Sequence, residues 1–333
     1  MGRLPALLLA AAALLAGCGG SDTSKDPAAQ VPAAGGVREK VRAAQAVTAA
    51  VFPAVKGRTL QQVADASGSG GPELGMASSV FTPGRNRLAF GVIDDRSGFV
   101  YGKTAIYVAP GPDQPARGPF PAPADVLLTQ GRYRSKQAAT EADPFAAVYA
   151  AEVRFAKSGA YSILALTKDG DKTLASPGQI KVVSKADDRI PDVGERPPDA
   201  ETDTLASAHG DVASIDTREP PSDMHAKSFA DVVGKRPVAL LFATPQLCQS
   251  RVCGPVVDEA LQMKSKYGDQ VEFIHQEVYV DNNPQKGLRD PLRQFNLATE
   301  PWLFVVGRNG RITARLEGSF GLSAFENALK TAL

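Results

Sequence analysis

Phe295-Asn296-Leu297-Ala298-Thr299-Glu300-Pro301-Trp302-Leu303-Phe304-Val305-Val306-Gly307-Arg308-Asn309-Gly310-Arg311-Ile312 carries the densest structural signals in the chain. Residues 302–306 are unbroken apolar sequence, as expected of a strand buried on both faces. Arg308-Asn309-Gly310 follows as a strong hairpin signal, because Asn and Gly tolerate the positive φ of a tight two-residue turn. A second strand is predicted over residues 311–316.

Working upstream, residues 238–243 (Val-Ala-Leu-Leu-Phe-Ala) form another continuous apolar run and predict a central strand. Residues 229–233 read as a short helix stopped by Gly234. A helix from about Pro255 to Tyr267 follows two cysteines, Cys248 and Cys253. Residues 271–274 open a further strand and 288–295 a further helix. Ser323 is placed to cap a last helix carrying Phe325, Ala328 and Leu329. The predicted order is βαβαββα, with the cysteines just after the first strand.

This layout and the quoted stretch resemble extracytoplasmic thioredoxin-like proteins of the TlpA and redoxin type, over residues 216–333, about a third of the chain. The resemblance implies a central sheet flanked by helices, with Cys248 and Cys253 as the catalytic pair: Cys248 attacks a substrate disulfide and Cys253 resolves it. It also implies a cis proline at Pro301 against the sulfurs, with Glu300 and Pro301 presenting backbone to an extended substrate. No cofactor and no metal are implied, and the partners would be exported proteins with thiols or disulfides. Three features depart from the pattern. Four residues rather than two separate the cysteines, and Leu241 and Leu247 stand where many relatives carry a buried acid and a Trp.

On a regular helix, residues five apart rise about 7.5 Å, whereas a disulfide holds its Cα atoms within about 4.4–6.8 Å. The pair therefore bonds only if the segment is not all helix, and Gly254-Pro255 allows both cysteines to lie in a loop ahead of the helix. A thiol near a helix N-terminus has its thiolate stabilised, and Arg251 lies between the two. Four readings stay open. The pair is redox-active; or it is a structural disulfide in a non-enzymatic binding or scaffold module; or it holds copper with His275, in the manner of Sco-type assembly factors; or it belongs to a peroxidase, since Thr244-Pro245 before Cys248 is similar to the peroxiredoxin loop. His209 and His225 carry no expected role.

The rest of the chain sets the context. Residues 1–17 hold one Arg and then an apolar run too short to span about 30 Å of hydrocarbon. They end in Leu15-Ala16-Gly17-Cys18, which resembles a bacterial lipobox and implies cleavage before Cys18 and lipid attachment to its sulfur. The expected location is the extracytoplasmic face of a cell membrane, where a disulfide persists. Residues 18–36 read as a flexible tether and 37–76 as a helical lead-in, with Val41, Ala44, Val47, Val51 and Val55 at helical spacing and a break at Pro53. Residues 77–185 hold short β-type runs separated by turn clusters, predicting an antiparallel β-sandwich that loosely resembles immunoglobulin-like accessory domains. Residues 186–215 read as a Pro-rich linker too polar to order itself. The fold class expected is thus an all-β sandwich followed by an α/β thioredoxin-like domain. A net charge of +1, with no basic stripe or tail, gives no reason to expect nucleic acid.

Overall fold

The structure is a computed structural model describing residues 26–67, 71–138, 145–248 and 253–333. The described residues are mostly β, with three four-stranded sheets and short helices. The leader, Cys18 and the residues between the two cysteines lie outside the described residues.

Eight strands come first: β1 (Glu73–Met76), β2 (Gly84–Ile93), β3 (Lys103–Ala109), β4 (Arg117–Pro121), β5 (Ala124–Val126), β6 (Ala147–Phe155), β7 (Gly159–Asp169) and β8 (Lys172–Val182). They form two antiparallel sheets, ordered β1-β2-β6-β5 and β4-β3-β7-β8. Alternate residues of the strands point to one side. Phe90 and Val92 of β2, Tyr149 of β6, Ile106 and Val108 of β3 and Ile163 of β7 therefore meet in one apolar core shared by both sheets.

The lead-in is less helical than its spacing predicts. α1 (Val37–Gln45) buries Val41 and Ala44 and then stops, and Val51 is exposed. Pro53 and Gly57, the latter at positive φ, separate it from α2 (Leu60–Asp65). α2 opens with a reciprocal cap between Thr59 and Gln62. Residues 73–76, expected in the helical segment, are the edge strand β1. Ahead of β2, Phe81 makes an isolated β-bridge to Val182.

The third sheet contains β9 (Val238–Phe242), β10 (Glu272–Gln276), β11 (Trp302–Val306) and β12 (Ile312–Glu317), ordered β10-β9-β11-β12. β10 is parallel to β9, while β11 is antiparallel to both β9 and β12. The helices are α3 (Phe229–Val232), α4 (Cys253–Tyr267), α5 (Asp290–Gln294) and α6 (Leu322–Lys330). The continuous apolar runs are explained by two buried faces. Leu241, Leu303 and Val305 pack with Val257 of α4 and Phe325 of α6. Leu240, Phe242 and Phe304 pack with Phe229 of α3 and Leu292 of α5. Full burial of each such side chain stabilises the fold by about 1.5–3 kcal/mol.

Two expectations are corrected here. Residues 186–215 are laid along this sheet rather than left unordered: Gly194 and Glu195 exchange backbone hydrogen bonds with Ile312, Asp188 pairs with Arg315, and Ala200 is buried among the α3 side chains. A polar segment is ordered because its partners are the backbone and charges of the sheet edge. Ser323, in turn, does not cap α6. Asp125 of β5 accepts from the backbone N–H groups of Gly321, Ser323 and Ala324, at 2.8, 3.0 and 3.2 Å. The cap comes from nearly two hundred positions away, and a carboxylate at the positive helix end does what a local serine was expected to do.

Candidate functional site

β9 ends at Phe242, and the chain leaves the sheet through Ala243, Thr244 and Pro245 to reach Cys248. Cys248 is half-buried and packs against the core beneath α4. Cys253 is the first residue of α4, so it starts the helix instead of sharing a loop with Cys248 ahead of it. Its side chain, like Arg251, lies outside the described residues. Pro255 still sits in the first turn, where its missing N–H breaks no bond.

Hydrogen bonds from below fix the cysteine loop. Glu277, wholly buried after β10, accepts from the Thr217 backbone N–H at 2.7 Å and from its hydroxyl at 2.6 Å. The same hydroxyl accepts from the Gln246 backbone N–H at 3.2 Å, and the Gln246 side chain donates to Glu219. Glu300 and Pro301, joined by a cis peptide bond, directly precede β11. Burial pushes the Glu300 carboxyl up, and nearby Cys248 and Glu277 add to the shift. Cys248 and Glu300, 52 positions apart in sequence, thus lie within electrostatic reach of one another.

A cleft of about 370 Å³ opens beside Thr299 and Glu300. Its apolar wall is Met76, Ile93, Phe99 and Phe145, all from the first eight-strand region. A second segment from that region closes over the start of α4. Ser135 donates to Asp258, Gln137 accepts from the Glu219 N–H, and Lys136 pairs with Glu219. Gly254 lies so close beneath that a Cβ there would sit 2.5 Å from the Gln137 carbonyl oxygen.

Sequence reasoning missed a third feature. Asp216, His225 and His275 meet in the interior, at 2%, 3% and 0% exposure, enough to exclude water from all three. Asp216 Oδ2 lies 3.0 Å from His225 Nε2 and 3.5 Å from His275 Nδ1. It also accepts from the Ser222 N–H, while Oδ1 accepts from the Arg218 N–H. His275 Nε2 donates to the Ala243 carbonyl at 3.0 Å, at the root of the cysteine loop. Burial opposes ionisation of Asp216, but the two histidines beside it hold the carboxyl far below its ordinary value. For His275, burial pulls down and Asp216 pulls up, with a net rise. No local pattern announces this set, because Asp216 and His225 lie in irregular segments and reach β10 only on folding. His225 therefore takes a place that its sequence context did not suggest, and His275 Nδ1 faces Asp216.

Chemically, the cysteine loop with Glu300 can host thiol chemistry at a helix N-terminus, and the buried histidine pair with its carboxylate offers nitrogen and oxygen donors for a cation. Among the described residues no helix is long and apolar enough to cross a membrane. No family model matches the chain, and no curated protein matches it. Among solved structures it is distantly similar to a putative thiol:disulfide interchange protein DsbE from Chlorobium tepidum, with 16% identity over 43% of this chain and 98% of that one, at a TM-score of 0.31.

Proposed function

We propose that this chain is a lipid-anchored, extracytoplasmic protein whose β-sandwich precedes a thioredoxin-like domain exchanging disulfides through Cys248 and Cys253. One observation carries the reading: Cys248, in the loop that leaves the central strand, lies within electrostatic reach of Glu300 at the turn into β11. In this reading Cys248 attacks a partner's disulfide, forming a mixed disulfide and releasing one partner thiolate. Cys253 then attacks that bond, leaving the Cys248–Cys253 disulfide and a reduced partner. The same steps in reverse oxidise a partner. Stabilisation of a thiolate at the start of α4 supports the chemistry, and the apolar cleft beside Glu300 supports a polypeptide partner. Anchoring through Cys18 rests on the lipobox resemblance. Of the tether expected over residues 18–36, residues 26–36 instead form two short 3-10 turns, with Ala28 and Val31 buried in the core of the first two sheets.

The fit of residues 135–137 over the start of α4 favours a second reading, a sealed scaffold with a structural disulfide. The reduction potential of the pair, measured in the mature chain with Cys18→Ser, separates the two. A value between about −120 and −270 mV supports exchange, and one below about −300 mV supports the staple.

A further inference from the structure

We propose that Asp216, His225 and His275 form a buried binding site for a divalent first-row metal ion, with zinc the ion the donors suit, independent of the cysteine chemistry. Two imidazoles and a carboxylate are a borderline-soft donor set of the kind zinc takes in a tetrahedral arrangement. At metal–ligand distances of about 2.0–2.1 Å, neighbouring ligand atoms of such a site lie roughly 3.3 Å apart. Here two of these separations are 3.0 and 3.5 Å, and all three atoms fall within 4.8 Å of one another. Ser222 Oγ, 3.4 Å from His225 Nε2, offers a donor for a fourth position.

The tautomer of His275 points the same way. Its Nε2 donates to the Ala243 carbonyl, so in the neutral ring Nδ1 is a bare lone pair aimed at a carboxylate. Holding one imidazole nitrogen on a backbone carbonyl while the other is turned inward is how metal-binding histidines are oriented. His275 Nδ1 is wholly buried, and its contact with Asp216 Oδ2, at 3.5 Å, is long for a hydrogen bond. Two electron-rich atoms facing each other away from water require a cation between them. A proton on Nδ1 can supply that cation as an ion pair with Asp216 at 3.5 Å, whereas a metal ion at the same place would engage His225 Nε2 as well. His225 Nδ1 also lacks a partner, so metal binding there leaves one N–H without an acceptor, and the site binds less tightly than a fully buttressed one. An ion at this place ties the Asp216–His225 stretch to β10 and, through Ala243, to the cysteine loop.

The test uses the mature chain with Cys18, Cys248 and Cys253 each replaced by Ser, so that no thiolate holds metal. It is unfolded with chelator and refolded with or without zinc sulfate, then freed of loose metal. About one zinc per chain is expected. With free zinc near a hundred times Kd, Tm should rise by roughly 5–10 °C. Refolding with cobalt should give the visible absorption of a tetrahedral site, lost in His275→Gln. Refolding only when zinc is present also supports the site. If the chelated chain refolds with unchanged Tm and takes up no zinc, the proposal is overturned, and the three residues are a proton-held ion pair. Should the chain refold under neither condition, the zinc content of protein purified natively from zinc-fed cells decides: stoichiometric metal upholds the site and its absence refutes it.

Discussion

Glu259 lies on α4 with no exposed surface, and neither carboxyl oxygen has a hydrogen-bond partner. Burial pushes its carboxyl well above the ordinary carboxylate range; Asp125 and Asp258 add to the rise, and Arg87 works against it. The native state therefore holds a proton that the unfolded chain releases above about pH 4.5. Where the native state binds more protons, stability falls as pH rises. The loss is about 1.4 kcal/mol per pH unit, from about pH 4.5 until the native carboxyl ionises. Two such units are about 2.7 kcal/mol, a large share of the 5–15 kcal/mol that holds a typical domain. Glu259→Gln keeps the size and the neutral state while removing the titration. Its amide still lacks partners, at a cost of about 1–3 kcal/mol that does not change with pH. The slope is therefore the diagnostic quantity. Urea unfolding of the protein and the variant from pH 4.5 upward should show the variant gaining on the parent by about 1.4 kcal/mol per unit for as long as the native carboxyl stays protonated. A gap that is flat, or that opens in the parent's favour as pH rises, refutes the reasoning and means that Glu259 is ionised against Arg87.

Asp125→Ala strips three N–H groups at the start of α6 of their acceptor and should cost about 1–3 kcal/mol in chemical denaturation, with Asp125→Asn recovering part of the loss. Gly318→Ala combines a positive φ of 69° with a Cβ driven into the Ala77 carbonyl, so urea midpoints should fall by the equivalent of at least about 1 kcal/mol. Burial alone would raise the Glu326 carboxyl, but Lys266 and Tyr267 beside it bring it down to about 2. Its contribution is thus present above the ordinary carboxylate pKa and lost as pH falls toward 2. Glu326→Gln should cost under about 1 kcal/mol near pH 7, given the exposure of Lys266, and nothing near pH 2.

The third sheet was legible because each strand is locally complete. Residues 238–242 and 302–306 are apolar throughout, as burial on two faces demands, and Asn309-Gly310 marks the turn between β11 and β12 without help from distant residues. The lead-in departs from its spacing because α1 already ends at Gln45 and Thr48 is extended, ahead of the expected break at Pro53.

What the sequence by itself determined is what depends on neighbours along the chain: the strand and helix order from 229 onward, the turns, and the position of Cys248 between β9 and α4. Only the tertiary structure decided what depends on neighbours in space. It chose Asp125 over Ser323 as the cap of α6, ordered residues 186–215 on the sheet edge, laid residues 135–137 over Gly254, and drew His225 in from a loop to meet Asp216 and His275. The physical reason is common to all four. Charged and hydrogen-bonding groups taken out of water must be satisfied, and they accept a suitable partner from any distance along the chain.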